Sequence, residues 1–402
     1  MRVLLVHNFY GSAAPSGENQ VFEAEARLLR SHGHDVDTFT RHSDEIRSQK
    51  AWGALKGALA TPWNPWMAET VAVKVAAWRP DVVHVHNTFP LISPSIFSAI
   101  GRKAARVLTL HNYRLFCPAA IPMRSGKVCT DCLDTASVWP ALRHGCYRKS
   151  RAATVPLALN VALHRQLGTW HRKVDAYISL SAFQQQRMVE AGLPPGKVHV
   201  KPNFYPGSPA VIPWADRSDY AVFAGRLTQE KGVTALLRAW AEWTSIHGDA
   251  PELRIAGDGP LRAELERMAA NLPVRFLGQL SSDEAQGQIA RARLLLLPSE
   301  CFEGFPMVVR EAFAFGTPVA VSNLGPLPSI VQSGINGVVF EPGSPSSLVS
   351  EVRKAWQSSD LLKRLAKGAR QTFEELYTED ANYATLMRIY ETAIKENKDS
   401  KQ

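Results

Sequence analysis

Two cations and two carboxylates stand at loop-to-helix junctions in the second half of this chain. The first junction is Gly225-Arg226-Leu227-Thr228-Gln229-Glu230-Lys231-Gly232, directly after the apolar run YAVFAG (220–225). Arg226 leaves the end of an expected strand, and Lys231 stands where the next helix is expected to begin. Free N–H groups and the helix dipole favour an anion there. With two cations beside them, the arrangement suits a diphosphate. The second junction is Gly257-Asp258-Gly259-Pro260 after ELRIAG (252–257). Its small residues let a ligand approach the backbone, and Pro260 suits a helix's first turn. The third is PSECFEGFPMVVREA (298–312) after RLLLLP. Glu303 falls in the loop, Gly304 permits an unusual turn, and Phe305 and Pro306 lead into a helix that carries Glu311 one to two turns in. A loop carboxylate can hold sugar hydroxyls, and a helical one can hold a ribose diol. Each run taken alone reads equally well as a solvated turn with ordinary surface charges.

The first half holds other candidates. His111 closes the run RVLTLH (106–111), at the strand end where ligands bind; a buried, hydrogen-bonded histidine is the alternative. His84 and His86 share one side of a strand, and packing explains them better than a metal lacking further ligands. Cys117, Cys129, Cys132 and Cys146 are spaced C-x11-C-x2-C-x13-C. A tetrahedral zinc site stapling a long loop is one reading; four independent small residues or a redox-labile pair are the others. Cys301 stands apart and reads as packing. Asp35-Val36-Asp37 has the spelling of a metal-binding triplet but reads as a turn entering a strand.

The elements that must position these residues alternate. RVLLV (2–6), HDVDTFT (34–40), DVVHVH (81–86), RVLTLH and DAYISL (175–180) are strand-like in the first half, with a helix over 18–33. The second half adds YAVFAG, ELRIAG, VRFLG (274–278), RLLLLP and TPVAVS (317–322), with helices near 231–246, 260–270, 282–291, 306–315 and 344–356. The tail from 360 to about 397 reads as helical. Short apolar strands alternating with helices predict α/β layers with parallel sheets. A chain of 402 residues exceeds one ordinary core, so two domains of about 150–200 residues are expected. The proline-rich stretch 201–214 reads as their linker. Two doubly wound domains would face a central cleft, with ligands beyond the strands' carboxyl ends.

The three junctions, in this order and at these spacings, resemble the donor domain of the retaining glycosyltransferases of family 4 (group 1), which have the GT-B fold. The segment Ile178–Phe204 resembles the run into that family's hinge. The resemblance covers most of the chain. It implies an acceptor-binding domain over 1–203 with a cysteine-containing insertion at about 114–150. A nucleotide-sugar donor domain follows over 204–375, then a C-terminal helix over 376–402 able to pack back on the first domain. It further implies that Arg226 and Lys231 hold the donor diphosphate, with Gly257, Gly259, Gly304, Phe305 and Pro306 lining the nucleotide. Glu311 would bind the ribose, Glu303 the transferred sugar, and His111 would lie beside that sugar. The loop Gly11–Glu18, with Ser16 and Gly17, matches the family's glycine-rich acceptor loop only in part. The family uses no catalytic metal or other cofactor. The cysteine segment resembles an insertion of exopolysaccharide- and lipopolysaccharide-type members, so the implied activity is transfer of a hexose-type sugar to a lipid-linked glycan in cell-surface polysaccharide synthesis.

Charge divides unevenly. Residues 1–200 carry 24 Lys+Arg against 13 Asp+Glu, and residues 201–402 carry 22 against 24, giving +11 and −2. Segment 101–200 alone has 15 basic and 4 acidic residues. The basic stretches Arg143–Arg151 and Arg165–Lys173, with Trp63, Trp66, Trp78, Trp139 and Trp170 in the same half, suit an anionic membrane surface. No apolar run reaches the ~20 residues of a membrane span, and the opening MRVLLVHNFYG reads as a strand rather than a leader. The expectation is therefore a cytoplasmic protein, peripheral on the inner face of the cell membrane. The rival class is a zinc-stapled nucleic-acid-binding protein; it leaves Arg226, Lys231, Glu303 and Glu311 unexplained, so no nucleic-acid partner is expected. A dinucleotide oxidoreductase would need Gly-x-Gly-x2-Gly after the first strand, which is missing.

Overall fold

The computed structural model describes residues 1–11 and 16–399. The chain forms two compact units. The first holds Met1–Pro122, Cys129–Pro202 and the C-terminal segment from Asn382; the second holds Asn203–Ala381 with the short ribbon Met123–Val128.

The first unit is built on β1 (Arg2–Phe9), β2 (Asp35–His42), β3 (Val82–Asn87), β4 (Ala105–Leu110), β5 (Ala176–Ser179) and β6 (Val198–Val200). All pair in parallel, in the order β2-β1-β3-β4-β5-β6. β3 and β4 are buried at every residue, as parallel strands covered on both faces must be. Helix Gly17–Ser31 packs Phe22, Ala26 and Leu29 against Val3, Leu5, Val82 and Val107. The same core receives Leu386, Ile389, Tyr390 and Ala393 from helix Glu379–Asp399.

The second unit is built on β7 (Tyr220–Ala224), β8 (Glu252–Ala256), β9 (Val274–Gly278), β10 (Leu294–Leu297), β11 (Val319–Ser322) and β12 (Gly337–Phe340). These are parallel in the order β9-β8-β7-β10-β11-β12. Trp240 and Trp243 of helix Val233–His247 anchor its core, with Leu253, Ile255, Leu294 and Leu296 from the sheet. Strand order reverses between β1 and β3 in the first sheet and between β7 and β10 in the second. In an open parallel sheet the crevice beyond the strand ends at such a reversal is where ligands bind.

The structure departs from the expectations in four places. Each sheet gains a sixth strand at one edge, β6 and β12. Asp35 and Asp37 lie within β2 rather than in a turn; Lys74 lies 2.5 Å from Asp37, and Arg2 lies 3.9 Å from the exposed Asp35. Lys231 lies in a 3-10 turn, Gln229–Lys231, and the helix starts at Val233 after Gly232. The tail breaks into Ser359–Leu376, which gives Leu362 and Leu365 to the second unit's core, and Glu379–Asp399, which joins the first.

Candidate active site

In the second unit, the loops after β7, β8 and β10 are fused into one wall. Glu300 N donates to Glu230 O at 2.9 Å, and Leu227 N donates to Asp258 O at 2.9 Å. Two glycines make the approach possible. Gly232 has φ +68 and a Cβ there would stand 1.8 Å from Pro298 O; Gly257 has φ +138 and its Cβ would stand 1.9 Å from Gly225 O. Only a residue without a side chain fits either position. Gly259 is similarly pressed against Leu227 O.

On this wall the structure brings Lys231 and Glu303 together. Glu303 Oε1 accepts from Lys231 Nζ at 2.7 Å and from Ser299 Oγ at 2.6 Å. Burial works to neutralise both partners, but each outweighs it for the other. The Lys231 ammonium is held above its ordinary range and the Glu303 carboxyl below its own. Arg226 is exposed, 3.7 Å from Glu230. Gly304 is half-buried, and Phe305 is buried edge-on against Tyr377 at 5.2 Å. Pro306 precedes helix Met307–Ala314, whose N-terminus has no side-chain cap, so its first amides remain available to an anion. Glu311 lies on that helix, 9% exposed. Burial raises its carboxyl to about 7 against the pull of Arg310. Arg310, itself buried and pushed down to about 10, escaped the sequence reading. Its only signal is a charge beside Glu311 on an otherwise apolar helix.

In the first unit, His111 follows β4 and is half-buried. Its Nε2 lies 3.1 Å from His86 Nδ1, with the rings stacked at 5.3 Å. His84 and His86 are buried beside Glu25, which lies 3.5 Å from His84 Nδ1 and 3.8 Å from His86 Nε2. These ligand atoms fall within 4.8 Å of one another. Lys201 Nζ already stands 3.6 Å from Glu25 Oε2, so the local positive charge is an ammonium. Glu25 and Lys201 also escaped the reading. Glu25 sits three and four residues from Phe22 and Val21, and likewise from Leu28 and Leu29, on the apolar face of its helix, and that position was the available signal. Ser16 precedes helix Gly17–Ser31 in extended conformation with no capping bond, and Gly17 is exposed. Ser12–Pro15 of the expected acceptor loop lie outside the described residues.

The four-cysteine zinc site is not supported. Among the described residues the cysteines form no disulfide. Cys132 is near enough to Cys117, Cys129 and Cys146 for electrostatic coupling. Among the described residues, however, the metal-capable cluster is Glu25, His84 and His86 and contains no cysteine. Burial pushes the Cys117 thiol up to about 12. Backbone bonds hold the segment instead: Cys117 N to Tyr113 O, Tyr113 N to Ala120 O, and Cys146 N to Ala141 O.

Two six-stranded parallel sheets, each with a loop site at its reversal, define a two-domain α/β protein of the GT-B fold. The family model Glycosyltransferase Family 4 matches residues 15–206, and Glycosyl transferases group 1 matches residues 208–372. The chain is a nucleotide-sugar-dependent glycosyltransferase with the GT-B fold. It is 25% identical over 399 residues to sulfoquinovosyl transferase SQD2 of Arabidopsis thaliana, covering 94% of this chain and 71% of that protein. It is 28% identical over 423 residues to a glycogen synthase of Mycobacterium tuberculosis, covering 96% and 92%. Among solved structures, Anabaena Alr3699/HepE in complex with UDP superposes with TM-score 0.62 at 19% identity, covering 97% of this chain and 99% of that one.

Proposed function

We propose that the protein transfers a hexose-type sugar from a nucleotide diphosphate sugar, with retention of anomeric configuration, to a lipid-linked glycan in cell-surface polysaccharide synthesis. It works as a peripheral protein on the cytoplasmic face of the membrane. The observation that carries the donor half is the Lys231–Glu303 pair on the fused loops at the β7/β10 reversal. The reaction breaks the anomeric C–O bond to diphosphate, and negative charge grows on the leaving phosphate. Lys231, Arg226 and the free amides at the start of helix Met307–Ala314 are the groups to stabilise it. Glu303 keeps Oε2 for sugar hydroxyls, Glu311 takes the ribose diol, and His111 serves the reacting sugar. The UDP complex of HepE supports a uridine-type donor.

The acceptor half rests on the surface of the first unit. Trp52, Leu55 and Leu59 of helix Lys50–Ala60 and Val155 and Leu159 of helix Arg151–Gln166 are exposed, on helices in contact with each other. Trp139 adds to this face from helix Trp139–His144, which also packs on Arg151–Gln166. Trp63, 39% exposed, stacks on His164 at 5.8 Å. Lys50, Lys56, Arg143, Arg148, Lys149 and Arg151 are exposed on or beside the same helices. An apolar, tryptophan-rich surface with basic residues among it matches an anionic bilayer. The second basic stretch contributes less than expected: Trp170 is a core residue, and Arg165 is tied to Ala136 O and lies over Phe116.

The test is a donor and acceptor screen. UDP-, GDP-, ADP- and TDP-sugars are compared by thermal shift, where ligand at ~100 times Kd stabilises by about 2.7 kcal/mol. Transfer is then measured to a lipid-diphosphate-linked oligosaccharide and to a soluble glucan. One nucleotide should stabilise and the lipid-linked acceptor should be elongated. Elongation of the soluble glucan alone would remove the lipid-linked reading, and no response to any nucleoside diphosphate would remove the donor site.

A further inference from the structure

His111 is held by the interior of the first unit rather than by its own loop. Its Nε2 meets His86 Nδ1 at 3.1 Å. On the far side of His86, Nε2 points at Glu25 Oε2 across 3.8 Å. Neither that nitrogen nor either Glu25 oxygen has a hydrogen-bond partner among the described residues. The neighbouring His84 is committed at both nitrogens, Nδ1 with Tyr390 Oη at 2.8 Å and Nε2 with Thr109 Oγ1 at 2.7 Å. Lys201, 3.6 Å from Glu25, is anchored by donating to Asn382 Oδ1 at 3.1 Å. Three side chains from helix Gly17–Ser31, β3 and the end of β4 thus form a line from a buried ion pair to the half-buried His111.

Burial pushes both imidazoles down, His86 far below its ordinary value and His111 to about 3. Both rings are therefore neutral in the physiological range, and the bond between them carries one proton with one direction. Something must choose that direction. A carboxylate accepts only, so an N–H facing Glu25 is favoured over a lone pair.

We propose that Glu25, acting through His86, sets the tautomer of His111. The Glu25 carboxylate, paired with Lys201, turns the His86 Nε2–H toward itself. His86 then offers its Nδ1 lone pair to His111 Nε2–H. His111 is left with a bare Nδ1, an acceptor for a sugar hydroxyl. Glu25 and His86 are positioning residues for the transfer. Only the link to turnover rests on the reading of His111 given above; the tautomer does not.

Burial raises the Glu25 carboxyl above its ordinary range against the pull of Lys201. A Glu25 that kept its proton would donate to His86 Nε2 and reverse both tautomers, so the proposal is exposed to a direct measurement. The full chain, labelled with ¹⁵N-histidine, is examined by imidazole nitrogen–proton correlation at neutral pH, with His111 assigned from His111→Gln. The expected result is a single Nε2–H tautomer for His111. An Nδ1–H tautomer, or a fast mixture, overturns the proposal. In Glu25→Gln the amide can donate to His86, so the tautomer should reverse. In that variant kcat should fall on the order of 10- to 100-fold, the scale seen for partners that orient a functional histidine, with KM for the nucleotide sugar unchanged. Glu25→Asp should restore the tautomer and part of kcat. A reversed tautomer with unchanged kcat keeps the relay and removes His111 from the reaction; a lost kcat with an unchanged tautomer overturns the positioning role. Should Glu25→Gln fail to fold, His86→Phe keeps the ring volume beside Phe22 and should leave His111 as a mixture of tautomers.

Discussion

Glu311 titrates in the range where the enzyme would be assayed, because burial raises its carboxyl from 4.5 to about 7. For a group whose folded value is raised, the associated stability is full below the ordinary value and is lost as pH rises through the folded one. Glu311→Gln should therefore leave the ligand-free protein more stable than the parent at pH 8, by at most roughly 3 kcal/mol, with the difference vanishing near pH 4.5. The ribose diol needs the carboxylate, so nucleotide affinity of the parent should weaken as pH falls below about 7, and that of the Gln variant should be low and flat. Calorimetry and thermal unfolding across this range decide it; a parent affinity that ignores pH refutes the assignment. Lys231 behaves differently. The sequence placed Arg226 and Lys231 alike, as two cations after one strand. The structure leaves Arg226 in solvent and commits Lys231 to Glu303. Lys231→Ala should lose about 2–4 kcal/mol of transition-state stabilisation and also destabilise the fold, because Glu303 is left buried and unpaired. Adding Glu303→Gln should recover unfolding temperature without recovering turnover. Recovery of both, or of neither, would argue against separate structural and catalytic parts. Residue types and spacing were enough to find these four side chains, but the pairing depends on Glu303 meeting Lys231 across 72 positions of sequence, which no local pattern carries.

At the level of elements, ten of the twelve strands of the two six-stranded sheets were legible in the sequence, most plainly β3 and β4, because buried parallel strands have no solvent face to encode. The two that were not, β6 and β12, lie at sheet edges; β6 has three residues of which only Val198 is buried, and β12 opens on a glycine. The loop geometry was legible only as glycine. Gly232 and Gly248 share a left-handed conformation, φ +68 and +70, flanking helix Val233–His247. A Cβ at Gly248 meets nothing within 4 Å, whereas at Gly232 it strikes Pro298 O. Gly248→Ala should thus cost only the conformational penalty, about 1–2 kcal/mol. Gly232→Ala should cost clearly more, separate the β7 and β10 loops, and weaken nucleotide binding. Chemical denaturation with nucleotide titration on both variants checks this. Equal losses at the two positions would mean that the close approach does not matter.

For the whole molecule, charge imbalance was visible in the sequence as +11 against −2, but the apolar surface that accompanies it was not. Trp52 and Leu59 belong to a helix whose buried face consists of Gly53 and Gly57, so its large side chains face outward, an inversion that a hydrophobic-periodicity reading takes for core. Trp170, conversely, sits among basic residues yet is buried. No helix of the described residues is long and apolar enough to cross a membrane. Basic side chains contribute about 1 kcal/mol each near an anionic leaflet, and that part should disappear at about 1 M salt, where the Debye length is ~3 Å. The tryptophans contribute apolar burial that salt does not screen. Liposome co-sedimentation should accordingly show binding to anionic vesicles that salt reduces, little binding to neutral ones, and quenching of tryptophan emission by brominated lipid. Trp52→Ser with Trp139→Ser should reduce the quenching and weaken binding, while transfer to a detergent-solubilised acceptor continues at the parental rate. Equal binding to neutral and anionic vesicles would reject the basic contribution. A concentration-dependent dimer in sedimentation velocity that the same substitutions abolish, without vesicle binding, would assign the face to a second copy of the chain.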